Sequence, residues 1–452
     1  MSTTTETMDQ YLQANLDGYI QEAARLCAQP SISMQREDAA KCAELVAATL
    51  AEHGLDVQTF PTPGNPIVVG RASGRSPRTL LFYNHYDVQP VDPLHLWTSP
   101  PFEPTVRDGA LYARGAKDDK GELVARLAAV DAVRAAHGGE LPCGVTFVVE
   151  GEEEIGSPHI ARFVQEHLDL LASHGAIWEE GQINSDGQPL LSLGRRGILY
   201  VQLEAQTLNR DAHSGGASTL PNAAWRLLWA LASLRDPQGQ VLIPGFYDRA
   251  RPPSERDLAI FAAQPSEEAR QREELGVREF VGGMTGEALK SAVFNPTCNI
   301  AGLTAGFQGP GMKTVIPAHA SAKVDFRLVP DQDPEDILAK LRAHLDAQGY
   351  EDVQVTRLGA MWPERTDPDD PLVALTVETG REVYSKDSLL TPLTGGSSPV
   401  YAFARPLGIP VVSPGVGYPG SRTHSPDEHV RLDHFLLASQ HIARILDRFG
   451  TL

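Results

Sequence analysis

Thr79-Leu-Leu-Phe-Tyr-Asn-His-Tyr-Asp87 is a run of apolar and aromatic residues that turns polar at its end. Such a run, bounded by polar residues, reads as a buried strand. Gly144-Val-Thr-Phe-Val-Val149 repeats the pattern and runs into Glu150-Gly-Glu-Glu-Glu154-Ile-Gly-Ser157. The short run Ala176-Ile-Trp178 repeats it again and ends in Glu179-Glu-Gly181. Helix-like stretches at about 120–137 and 158–168 lie between them. Strand–helix alternation of this kind predicts an α/β sheet covered on both faces. In open α/β sheets, sites form outside the carboxyl ends of the strands, where these polar clusters fall.

Upstream, Met8, Leu12, Leu16, Ile20 and Leu26 recur at near-helical spacing, and 37–53 reads as a second helix stopped by Gly54. A β-like run at 66–70 follows. Downstream the pattern changes: 198–206 alternates like a half-buried strand, 221–236 reads as a helix, and 252–275 is polar and helix-prone. Two β-like runs, 297–303 and 320–328, close that region, which predicts an α+β insertion with an antiparallel sheet. After Pro330 the alternation returns, with helices at 334–347, 371–384 and 433–448. The expectation is an α/β domain, residues 1–196 and 332–452, interrupted by a smaller α+β domain at 197–331. A chain of 452 residues suits two cores better than one.

The formal net charge of -19 would repel nucleic acid and anionic lipid, so neither is expected as a partner. No apolar run is long enough to span a bilayer. The polar, acidic opening resembles neither a secretory signal nor a transit peptide. The four cysteines are scattered, with no C-x-x-C pair, which suggests reduced thiols and a cytoplasmic location.

Five polar clusters carry the candidate chemistry. Asn84-His85-Tyr86-Asp87 places an imidazole and a carboxylate two residues apart, on one side of an extended backbone. Alone, His85 reads either as a structural histidine or as a ligand. Arg114-Gly-Ala-Lys-Asp118-Asp119-Lys-Gly121 opens a helix; its acids are either an N-cap with its neighbour or a carboxylate bridging two cations. The glutamates at 150–154 are either a solvated acidic loop or a set whose repulsion a cation offsets, with one carboxylate left as a general base. Glu179-Glu180 and Arg422-Thr-His424-Ser-Pro-Asp-Glu-His429 complete the series. Mixed histidine and carboxylate ligation suits zinc, manganese or cobalt better than calcium. No nucleophile elbow or phosphate loop competes, so an activated water is the expected nucleophile.

With H-Y-D-V-Q-P, W…P-P-F, D-G-x-L-Y-A-R-G-A-x-D-D-K-G and E-G-x-E-E-x-G-S in this order, the chain resembles the dinuclear zinc metallopeptidase superfamily. That superfamily includes carnosinase-like cytosolic dipeptidases, aminoacylases, acetylornithine deacetylase and glutamate carboxypeptidase. The dipeptidase branch is the nearest, and the likeness runs from about residue 10 to the end. It implies a zinc-peptidase-like catalytic domain with a lid and dimerisation domain inserted. It also implies two divalent ions per subunit, zinc first, with manganese or cobalt as alternatives, sharing a bridging water.

Residue by residue, the resemblance implies that His85 holds one metal and Asp87 orients it. Asp118 bridges both metals, through a cis peptide to Asp119. Glu153 is the general base and Glu154 a ligand of the second metal. Glu179 completes the first set, with Glu180 as its rival, and His424 the second. His429, His95 and His159 are left as structural or surface histidines. In the inserted domain, His213 would reach the partner's site in a homodimer formed through the lid. Arg327, with Thr314, Gly396 and Ser397, would hold the substrate's carboxylate. Without the resemblance, His213 reads as a turn histidine and Arg327 as a salt-bridged strand residue.

One departure concerns the substrate. Thr394 precedes the glycines where the dipeptidase pattern has an acid, which weakens the case for recognition of a free α-amine. Three readings follow: a dipeptidase, an N-acyl amino-acid amidohydrolase, and a non-catalytic binding protein on the same fold. The intact Glu153 and full ligand set argue against the third.

Overall fold

The strand Thr79–His85 lies inside a six-stranded sheet. The computed structural model describes residues 3–452; Met1 and Ser2, the first residues of the polar opening, lie outside the described residues. The sheet order is Asp56–Phe60, Ile67–Ala72, Gly144–Glu150, Thr79–His85, Ala176–Ile177 and Val411–Val412. The first two pairings are antiparallel and the remaining three parallel. The parallel strands Gly144–Glu150 and Thr79–His85 are buried almost throughout, as their unbroken apolar runs require.

Helices cover this sheet. Lys120–Ala136, with apolar residues around most of its circumference, is buried along nearly its whole length. It packs against Thr3–Ala28 and Leu432–Phe449. Met8, Leu12, Ile20 and Leu26 of the first helix enter this core, as their spacing predicts. All four cysteines are buried free thiols. No described helix is long and apolar enough to cross a membrane.

Contacts divide the chain into two units. The first comprises the residues up to Leu193, Thr366–Thr391 and Ala402–Leu452; the second comprises Gly194–Arg365 and Pro392–Tyr401. The second unit is therefore wider than the 197–331 expected. Pro334–Ala347 places Ile337, Leu341 and Leu345 in its core, and Gln354–Met361 pairs with Gly197–Gln206 as an edge strand. A helix and strand that follow one another carry no sequence mark of which sheet they join.

Within the second unit, four antiparallel strands run in the order Thr297–Ala305, His319–Leu328, Gly197–Gln206 and Gln354–Met361. Gly197–Gln206 alternates strictly between buried and half-exposed until its last residue, as a sheet with one covered face demands. The helix-prone stretch at 252–275 is two helices, Glu255–Ala263 and Glu268–Leu275, separated at Pro265, whose ring and missing N–H cannot continue a helix.

Candidate metal centre

The ends of three neighbouring strands and two loops converge in the first unit. His85 is the last residue of its strand and pairs in register with Glu150. The carboxyl ends of these strands therefore deliver His85, the loop carrying Glu153 and Glu154, and Glu179. Arg126 holds the ends together: its guanidinium donates to the main-chain carbonyls of Tyr83 and Trp178, to Asn84 Oδ1 and to Glu122.

Six side chains form two sets. His85, Asp119 and Glu179 have ligand atoms within 4.8 Å of one another, and so do Asp118, Glu154 and His424. Asp118 faces both sets: its Oδ1 is 3.2 Å from His85 Nε2 and its Oδ2 3.0 Å from His424 Nε2. His424 Nε2 is also 3.2 Å from Glu154 Oε2. The Asp118–Asp119 peptide is cis.

The surrounding groups fix this geometry. Glu428, a residue of the last cluster to which no role had been given, is buried and accepts from the amides of Gly115, Lys117 and Asp118 at 3.0–3.1 Å, and from Arg114. Asp119 Oδ2 accepts from Asn84 Nδ2 at 2.6 Å and from the His85 amide at 3.1 Å. Asp87 faces the His85 ring with both its main chain and its side chain: Nδ1 is 3.0 Å from the Asp87 carbonyl and 3.4 Å from its carboxylate. The Asp87 carboxylate also accepts from Ser33 and from the amides of Glu153 and Glu154, and so holds the glutamate loop.

The neighbouring acids and histidines separate by their partners. Glu150 accepts from Tyr83 and Ser157, and Glu152 is hydrogen-bonded to His159. Glu180 is exposed, with a left-handed φ of 71°, outside both sets. His429 is hydrogen-bonded to Tyr418 and the Asp427 carbonyl, and His95 is exposed.

Burial pushes the Glu153 carboxyl up to about 8, and the carboxylates around it add to this against the pull of His85. Burial, together with Glu153, holds the Glu179 carboxyl well above its ordinary range. For His85, burial alone would lower the pKa; hydrogen bonds to Asp118 and Asp87 outweigh it. Both Glu179 oxygens are buried without a hydrogen-bond partner among the described residues. A buried carboxylate so placed is costly unless a cation meets it. The donor set, imidazole and carboxylate together, fits zinc, manganese or cobalt.

In the second unit, His213 is exposed, with Nε2 3.2 Å from Thr314 Oγ1 and Nδ1 accepting from the Gly215 amide. Arg327 donates to Ser397 Oγ at 2.9 Å, beside the exposed Gly396. The Thr394 hydroxyl donates to the Gly194 carbonyl.

The model of peptidase family M20/M25/M40 matches residues 81–448, which contain both sets of ligand atoms. The chain belongs to this family. Among curated relatives, the β-Ala-His dipeptidase of Rattus norvegicus is 31% identical over 369 residues, covering 76% of this chain and 74% of its own. The Cys-Gly metallodipeptidase of Schizosaccharomyces pombe is 26% identical over 472 residues, covering 96% of each. Among solved structures, an M20 metallo-carboxypeptidase from Sulfolobus solfataricus superposes with a TM-score of 0.86 at 33% identity, over 96% of this chain and 99% of that one. The chain is thus an M20 metallopeptidase, with the M20 α/β fold and a separate antiparallel sheet.

Proposed function

We propose that this M20 enzyme hydrolyses the amide bond of dipeptides and similar small substrates that carry a free carboxylate. Two divalent cations, zinc first, would be held by His85, Asp118 and Glu179 on one side and by Asp118, Glu154 and His424 on the other. Such cations polarise a carbonyl and lower the pKa of water towards neutrality. The observation that carries the reading is Asp118, whose two oxygens face one histidine each. Glu153 takes a proton from the attacking water and returns it to the departing amine. Arg327, half-buried in its strand, meets the substrate's carboxylate with its planar fork.

The second unit serves as lid and dimerisation domain, and His213 of a second copy completes the site in a homodimer. Exposed Trp225, Leu228 and Trp229 on the helix Ala223–Ala232, and Ile300 and Leu303 on the edge strand Thr297–Ala305, support that assembly. The four free, buried cysteines support a cytoplasmic setting.

An N-acyl amino acid is the second reading, favoured by Thr394, whose hydroxyl is spent on a main-chain carbonyl and offers no charge to an amine. The test compares dipeptides with their N-acetylated forms on metal-depleted enzyme resupplied with zinc or manganese. Faster turnover of the free-amine forms is expected, and their carboxamides should be poor substrates. Preference for the acetylated forms would transfer the assignment to a deacylase, and full activity without metal would end the two-cation reading.

A further inference from the structure

Two lysines flank the aspartate pair, and they are treated differently. Lys120 is fully buried, and its ammonium donates to the main-chain carbonyls of Leu26 and Gln29 at 3.0 and 2.7 Å. Its role is to tie a helix end to the sheet-covering helix. The Lys117 side chain is only 9% exposed, yet its ammonium makes no hydrogen bond among the described residues. Its nearest charge is Asp118 Oδ1, at 4.0 Å, the oxygen that faces His85. The Lys117 chain is confined on one side: a Cβ at Gly417 would come within 3.2 Å of its Cε. Packing thus holds a positive charge beside the shared aspartate, with the carboxylates of Glu122, Asp119 and Glu180 also acting on it.

We propose that Lys117 is a built-in countercharge that weakens divalent-cation binding on the His85 side of Asp118, so that occupancy of that half of the centre follows the free metal concentration. This rests on the reading of Asp118 as the shared ligand. The physical reason is twofold. The Lys117 ammonium stands 4.0 Å from Asp118 Oδ1, so its charge acts directly where a cation on that oxygen would sit. Its charge then supplies part of the neutralisation that a cation would otherwise bring, and repels the incoming cation. In a buried cluster neither effect is much screened by salt.

The test uses full-length protein stripped of metal and titrated with zinc against a competing chromogenic chelator. The wild type is compared with Lys117→Met, which removes the charge, and Lys117→Arg, which keeps it. Two equivalents should bind in each. In Lys117→Met one dissociation constant should tighten by roughly tenfold or more, while Lys117→Arg stays within about threefold of wild type. In a His424→Ala background, which retains the His85 side, the tightening should persist. Unchanged or weaker binding in Lys117→Met overturns the inference, and so does loss of the effect in the His424→Ala background. If Lys117→Met does not fold without metal, refolding at graded zinc concentrations gives the same comparison. Its midpoint should then lie at lower zinc than that of Lys117→Arg, and an equal or higher midpoint overturns the inference. Failure of the wild type to bind two equivalents would instead defeat the two-cation reading itself.

Discussion

The two halves of the centre are built in opposite ways. On one side of the shared Asp118, His85 and Glu179 are buried at strand ends, with Asp119 buried beside them at the start of a helix. On the other side Glu154 is also well shielded, its side chain 4% exposed, and it is His424, with a side chain 51% exposed, that opens to water. His424 lies in a loop where Arg422, His424 and Asp427 all have φ near +60°, a left-handed conformation that non-glycine residues hold only against a cost. One half is thus fixed by the fold and shielded from water. The other rests on a loop that water reaches.

The largest effect should come from a residue that belongs to neither half. Glu153→Gln keeps the shape of the side chain and removes the proton acceptor. Activity should fall by at least ~10²–10⁴-fold, with bound metal unchanged, as read by turnover and elemental analysis together. Loss of metal in step with activity would make Glu153 a ligand and redraw both halves.

The contrast in burial predicts the order of metal release. Under excess chelator the loaded enzyme should lose its two cations in separate phases, the faster from the His424 half. His424→Ala should lack the fast phase and Glu179→Gln the slow one. A single phase, or the reverse assignment, would break the comparison.

A smaller and more particular effect concerns Glu179, whose buried oxygens have no partner. In metal-free protein near pH 8, Glu179→Gln should raise the melting temperature by roughly 2 °C or more, since a buried unpaired acid is relieved. With zinc present the sign should reverse. Destabilisation in both states would mean that Glu179 is held by something other than a cation.

The smallest effect lies outside the centre and separates it from the general electrostatics of the fold. His53 is 2.6 Å from Asp131 and 2.9 Å from Glu22. Burial alone would lower its pKa, but these hydrogen bonds push it up to about 9. A raised histidine contributes stability that is full below its ordinary pKa of ~6.5 and is lost as the pH rises through about 9. Melting curves should therefore fall across that window in wild type and flatten in His53→Gln, with zinc binding unaltered. An unchanged slope in His53→Gln would place the pH dependence elsewhere.

Much of this was legible before any coordinates. The apolar runs at 79–83 and 144–149 are strands because a segment buried on both faces must be apolar throughout and must pair its main chain. The polar clusters offered acids and histidines that need either a cation or a solvated loop, and the resemblance to the metallopeptidase superfamily picked His85, Asp118, Glu153, Glu154, Glu179 and His424 from among them. The supporting carboxylates were not legible. Glu428 reads as one more acid in a polar tail, and only the folded chain brings it to the amides of Gly115, Lys117 and Asp118.

What the sequence determined by itself is the α/β alternation, the inserted antiparallel region and the inventory of groups that can hold a cation. These depend on local periodicity and residue type. The tertiary structure alone decided which histidine each Asp118 oxygen faces, which of Glu179 and Glu180 is buried, and to which unit the strand Gln354–Met361 belongs. It also decided that the Lys117 ammonium stands beside the shared aspartate without a hydrogen bond among the described residues, while that of Lys120 donates to two main-chain carbonyls. Those are relations between segments far apart in the chain. They arise from sheet order and packing, which no window of sequence contains.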